Sequence, residues 1–280
     1  MDLVLDSSAL SRIYELPSLD RSAVLTGLRV LGHLHVTTVN VLEAAMHPDP
    51  NERAQKLRFY TDLTGAISPA DPPNELLIKT ARAYLAGQDT IDLGSNEAWA
   101  LLHATDLLSE DIRDESFAWT AQRKQEFRAT HETLRVTYQE HFAQVPTDRA
   151  GSALDLIAYF CERIDHYYDT LLIPAFARAT GVTPSHEQIH HFMQASTPWR
   201  LFWAARVHAL YTRSVQPEGY GDKNAGQTDL ESSIYLAFCN TFITNDRKQY
   251  TAFQDLNTLN HRNTNLLWYG DLRDTFLLTL

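Results

Sequence analysis

Strand-forming runs in this sequence are confined to its two ends. Near the start, LVL (3–5) is a short apolar run closed by Asp6, and HLHVTT (33–38) is a second run with β-branched residues at its end. Near the other terminus, NTFIT (240–244) and LLWYG (266–270) have the same character. A sheet built from these runs must bring the two extremities of the chain together. Helical spacing fills the gaps between them. Val39, Leu42 and Ala45/Met46 repeat through VNVLEAAM, TDLESSIYLAF precedes NTFIT, and NDRKQYTAFQDL follows it. Short buried strands alternating with helices predict an α/β fold with parallel pairing.

Between 66 and 215 the strand signals disappear. NEAWALLHATDLLSEDI (96–112), SFAWTAQRKQEFRATHETLRVTYQEHF (116–142) and SALDLIAYFCERIDHYYDTLLIPAFARATG (152–181) read as long helices, punctuated by Gly181, Pro184 and Pro198. The expected organisation is a core made of 1–65 plus 216–280, interrupted by an all-helical insertion over 66–215. GYGDKNAGQ (219–227) returns the chain to the core. The sequence holds no internal repeat and no low-complexity tract.

The 280 residues, 44% hydrophobic and 21% charged, have the balance of a globular chain with a sizeable core. Cys161 and Cys239 lie far apart in apolar surroundings, which suits buried reduced thiols and not a disulfide framework. MDLVLDSSALSRIYE lacks the apolar stretch of a signal peptide. No run approaches the ~20 apolar residues of a membrane helix. The expectation is a soluble, cytoplasmic protein without a membrane partner.

In an open parallel sheet, ligands bind beyond the carboxyl ends of the strands, where strand order reverses. Asp6 follows LVL and Asp246 follows TFITN. Glu43 is a turn into the helix after HLHVTT, and Asp229 opens the helix leading into the strand before Asp246. All four can project toward one sheet edge. Carboxylates gathered there repel one another unless cations neutralise them. Mg²⁺ or Mn²⁺ prefers such oxygen ligands and keeps waters for a substrate phosphate. A pair of such ions can activate water for in-line phosphodiester hydrolysis. The net charge of −11 argues against simple binding of long nucleic acid through a basic surface. A nuclease this acidic must concentrate its positive charge locally or draw it from bound cations.

LVLDSSAL with Asp6, TTVNVLEAA with Glu43, and TDLESSIYLAFCNTFITNDRKQYTAF with Asp229 and Asp246 together resemble the PIN domain nucleases. In that family one acid ends the first strand and a second lies on the helix after strand two. A third opens a helix, and a fourth closes a Thr-x-Asp pattern, matched here by Thr244-Asn245-Asp246. The resemblance implies a three-layer α/β/α sandwich and Mg²⁺- or Mn²⁺-dependent cleavage, most often of single-stranded or structured RNA. It also implies accessory roles for Ser8 and Thr244. It covers about 1–65 and 216–280, and the helical middle is longer than the family's minimal form. That middle is the expected seat of any contact with a protein partner or a second copy.

Each acid also has a plainer use. Asp6 and Asp246 suit helix N-caps, Asp229 a helix N-terminus, and Glu43 a solvated helix face. Asp222 and Glu231 are spare acids near Asp229. Arg247 and Lys248 could meet a phosphate or simply face solvent. Lys124, Arg128, His131 and Arg135 fall on one helical face that could guide RNA, though interspersed glutamates also suit a solvated face. Trp199, Phe202 and Trp203 suit core packing better than base stacking. The rival motif is HEQIH, with His186, Glu187 and His190 in the H-E-x-x-H pattern of zinc proteases. Ser185 and Gln188 instead mark a capping box there. A third reading is a non-catalytic PIN-like protein that binds a partner through its helical middle.

Overall fold

The structure is a computed structural model and describes residues 2–122, 125, 167–215 and 227–278. Four strands, β1 (Leu3–Leu5), β2 (Leu34–His35), β3 (Thr241–Thr244) and β4 (Asn265–Trp268), form one parallel sheet in the order β2-β1-β3-β4. Val4 lies opposite His35 on one side and Phe242 on the other, and Thr244 pairs with Trp268. The two ends of the chain therefore meet at the centre of the sheet. From β1 the chain first builds outward to β2, and the later strands add to β1's other side. The order reverses between β1 and β3.

Helices cover both faces, so LVL is apolar at every position instead of alternating. Leu3, Leu5 and Ile243 point into a cluster formed with α1 (Ser7–Tyr14), α2 (Ser18–Leu31) and the helices Pro50–Thr64 and Tyr269–Leu278. Val4 and Phe242 point the other way, into a cluster with the helices Pro73–Leu85, Ile173–Thr180, Thr197–Val215 and Arg247–Asn257. Much of that second layer thus comes from the middle of the chain. Trp199, Phe202 and Trp203 are all buried in it, and the Trp199 indole N–H donates to the Leu77 carbonyl at 3.1 Å. These aromatics hold the core together and offer no stacking platform.

Two expectations for the middle need correction. Residues 66–95 are not wholly helical, because Ala70 bridges Thr37 in parallel and Gly94 in antiparallel fashion. The Ala70 N–H donates to the Val36 carbonyl at 2.9 Å, and the Ala70 carbonyl accepts from the Thr38 N–H at 2.7 Å. Loop backbone here satisfies the open edge next to β2. Single-residue bridges leave no periodic pattern to read. NEAWALLHATDLLSEDI is also not one helix: Asn96–Leu102 stops, and helical structure resumes at Glu110. The Asp106 carboxylate accepts from the Leu108 N–H at 3.0 Å, and the Ser109 hydroxyl accepts from the Asp111 N–H at 3.2 Å. Such local bonds compete with helix continuation.

That break is held by Arg53, whose side chain is wholly buried. Its guanidinium donates to the carbonyls of His47, Leu108 and Ser109 and to the Glu110 carboxylate, at 2.9–3.2 Å. A buried cation is tolerable only when it is paired and hydrogen-bonded in this way. Cys239 is buried as a free thiol, and burial pushes its pKa up to about 12. Among the described residues no helix is long and apolar enough to cross a membrane. Cys161, Asp222 and the Lys124, Arg128, His131 and Arg135 stripe lie outside the described residues, as does nearly all of the return segment.

Candidate active site

Asp6 leaves β1 at its carboxyl end, its own N–H still paired with the Ile243 carbonyl at 3.0 Å. It is the N-cap of α1, in extended backbone geometry, and its Oδ1 accepts from the Ala9 N–H at 2.8 Å. Asp246 does the same one strand over. It caps the helix Arg247–Asn257 and accepts from the N–H groups of Lys248 at 2.8 Å and Gln249 at 3.0 Å. The capping role is real for both residues, and it fixes two carboxylates at adjacent strand ends.

Ser8 and Thr244 lock the pair together. The Ser8 hydroxyl lies 2.9 Å from both Asp6 oxygens and accepts from the Asn245 N–H at 2.9 Å. The Thr244 hydroxyl is 2.8 Å from Asp6 Oδ2 and accepts from the Asp246 N–H at 2.9 Å.

Glu43 lies on α3 (Thr38–Ala45), which starts with a capping box between Thr37 and Asn40. The Asn40 carbonyl oxygen accepts from the Thr37 N–H at 2.7 Å. The Asn40 amide nitrogen donates to the Ser7 hydroxyl at 2.9 Å, and Ser7 is hydrogen-bonded to Glu43. A buried amide thereby orients the serine that meets this glutamate. Asp229 lies on the short helix Gln227–Glu231, whose next residue but one, Glu231, pairs with Arg206 at 3.0 Å. That ion pair gives Glu231 a structural task.

These residues surround one cleft of about 170 Å³, lined by all four acids together with Ser7, Ser8, Asn40, Tyr235 and Gln249. Val4, Leu5 and Phe242 from the sheet form its floor. At ~30 Å³ per molecule the volume matches a handful of waters. Burial raises the pKa of Asp6 against three hydrogen bonds that lower it, and the charge of Asp246 raises it further. Glu43 is open to solvent within the cleft yet ringed by protein, and that desolvation raises its pKa, with a further push from Asp6. The phenol of Tyr60 is driven up by burial and then by Glu43 and Asp6. The site is a pocket of crowded, underscreened negative charge.

A divalent cation fits the donor chemistry, since the four carboxylates and the hydroxyls of Ser7 and Ser8 offer oxygen to the cleft and the charges call for neutralisation. The geometry is more open than a finished ligand set. Among the described residues no three His, Cys, Asp or Glu side chains converge closely enough to hold a metal ion. The four acids ring the cleft and do not meet at one point.

Other sequence candidates lie elsewhere. Arg247 and Lys248 are exposed and do not line the cleft, and the Arg247 guanidinium sits 5.6 Å from the Trp268 ring centre. In HEQIH, Ser185 and Gln188 form the expected capping box. His186 Nε2 is 2.8 Å from an Asp169 oxygen, while His190 contacts the Tyr168 hydroxyl and the Gln194 amide. Both histidines have partners other than a shared ion.

Sequence reading missed Ser7, Asn40, Tyr235 and Gln249. Gln249 and Asn40 each carried a signal, as the third residue after the caps Asp246 and Thr37, but that spacing indicates a capping box and not a place in the cleft. Comparison with protein-family models, with curated proteins and with solved structures finds no match to this chain, so the meaning of the cleft rests on its own geometry.

Proposed function

We propose that the protein is a metal-dependent nuclease that hydrolyses phosphodiester bonds, with RNA as its substrate, at the cleft ringed by Asp6, Glu43, Asp229 and Asp246. One observation carries the reading. Acids from four separate segments of the chain line the same cleft, at the carboxyl ends of β1 and β3 where strand order reverses. The PIN-like core of 1–65 plus 216–280, with 66–215 as its insertion, belongs to the same proposal. It draws support from a sheet assembled out of both chain ends.

Asp6, Glu43, Asp229 and Asp246 would hold Mg²⁺ or Mn²⁺, which when bound supplies an activated water and counter-charge for a phosphate. The chain's own part is to fix the acids. Ser8, Thr244 and the Ala9 N–H hold Asp6 in one orientation, and two backbone N–H groups hold Asp246. Without cations this cleft repels a phosphodiester, so chelation must abolish both binding and cleavage.

The test is incubation with single-stranded RNA and DNA, in Mn²⁺ or EDTA, beside Asp246→Asn. Asparagine caps a helix about as well as aspartate, so the variant changes charge without disturbing the fold. Cleavage should require Mn²⁺ and disappear in the variant. Undiminished cleavage by Asp246→Asn would sink the proposal. A non-catalytic binding protein is the second reading, favoured by the open spacing of the acids. It predicts a stable complex with a partner and no Mn²⁺-dependent cleavage.

A further inference from the structure

Gln249 is 3% exposed and lines the cleft, three residues after the helix cap Asp246. At that spacing its carboxamide would ordinarily turn back to the Asp246 N–H and complete a capping box. That N–H is already taken by the Thr244 hydroxyl at 2.9 Å. Released from the cap, Gln249 spans the cleft wall. Its Oε1 lies 2.8 Å from the Thr244 hydroxyl, and its Nε2 donates to the Asp229 main-chain carbonyl at 3.1 Å.

Both partners matter to the acids. Thr244 has one hydroxyl proton for two acceptors at 2.8 Å, Asp6 Oδ2 and Gln249 Oε1, so the two compete for it and the carboxamide influences how Asp6 is held. Asp229 belongs to a helix of only five residues, too short to hold its own shape. Leu230 anchors that helix in the core and Glu231 ties it to Arg206. Gln249 ties it from the cleft side.

We propose that Gln249 is a positioning residue that fixes the wall carrying Asp229 against the wall carrying Asp6 and Asp246. The proposal rests on the metal-nuclease reading of this cleft. It concerns the spacing of the ligand groups: a bridge with two ends, one on each wall, sets how far apart the acids stand. Asparagine, one carbon shorter, cannot reach both partners. Methionine keeps the volume and reaches neither through a hydrogen bond.

The experiment compares the full chain with Gln249→Met and Gln249→Asn by calorimetric titration of Mn²⁺, thermal melting and amide hydrogen exchange. Both variants should bind Mn²⁺ at least ~10-fold more weakly, the usual scale for removing a group that orients metal ligands. Their melting temperatures should stay within about 4 °C of the parent, a change of roughly 1 kcal/mol for a chain this long. Exchange at 229–231 should quicken ~10-fold while α3 is unchanged, as local loosening requires. Parental Mn²⁺ affinity in both variants, or full recovery of affinity by asparagine, overturns the positioning role. Unchanged exchange at 229–231 overturns the tie itself, whatever the metal does. A parent chain that binds no Mn²⁺ overturns the metal reading of the cleft, separately from the exchange result.

Discussion

Two regions of this molecule carry residue types that ligate metals, and they differ in what those side chains face. In HEQIH three candidate ligands fall within five consecutive residues, on the first turns of the helix His186–Ala195. There His186 turns to Asp169, His190 to Tyr168 and Gln194, and Glu187 lies exposed, 3.9 Å from His191. In the cleft the candidates come from four distant segments, yet Asp6 feels the charge of Asp246, and Glu43 that of Asp6. Proximity along the chain gave the first group no common target. Topology gave the second group a common cleft: strand ends and capped helices deliver the carboxylates to the same edge.

The largest effect should come from Asp246→Asn. Cleavage should fall by roughly 10²–10³-fold, the scale for losing one charge-stabilising group at a reacting centre. The melting temperature should hold, because asparagine keeps the cap. Next in size is stabilisation by the ion. With Mn²⁺ at about 100 times its Kd the parent should gain about 2.7 kcal/mol, read as a higher melting temperature. EDTA should erase that gain, and Asp246→Asn should never show it. Equal stabilisation of parent and variant would move the cation elsewhere, with HEQIH the first place to look.

What the sequence disclosed about the cleft has a physical limit. Asp6 and Asp246 were legible because a short apolar run closed by an acid signals both a strand end and a capped helix. Glu43 and Asp229 were legible through helical spacing beside those strands. Ser8 and Thr244 were named through the family resemblance, but the amides that steer the acids were not legible. Asn40 meets Ser7 and Gln249 meets Asp229 only after the sheet has closed, and no local pattern encodes an amide's remote partner. The same holds for the edge beside β2, where Ala70 contributes one residue and no alternation. Contacts made by periodicity can be read in advance. Contacts made by a single side chain or a single peptide cannot.

A smaller effect separates the two glutamates. The pKa of Glu43 is raised in the folded chain, chiefly by desolvation. A raised acid favours folding below its unfolded pKa, ~4.3, and that contribution is lost as pH rises through the folded value. Above that folded value the metal-free protein carries an uncompensated charge at this position. Glu43→Gln should raise the melting temperature at pH 7 in EDTA, with the gain shrinking toward pH 4. Glu187→Gln, outside the cleft, should bring no such gain. A Glu43→Gln variant no more stable than its parent at pH 7 would mean that the cleft is better solvated than its geometry implies.

The smallest expected effect tests the other side of the comparison. Tyr168 is almost wholly buried, and its hydroxyl bonds to His190 Nδ1. His190→Ala takes that partner away and should cost about 1 kcal/mol, the net value of one such bond. Cleavage at a temperature well below melting should be unaffected, and so should stabilisation by Mn²⁺. Those readouts separate a packing histidine from a ligand, since a ligand cannot be removed without changing what the ion does. Stoichiometric zinc in the parent, lost on His190→Ala together with activity, would reverse the comparison and move the chemistry to the helix His186–Ala195.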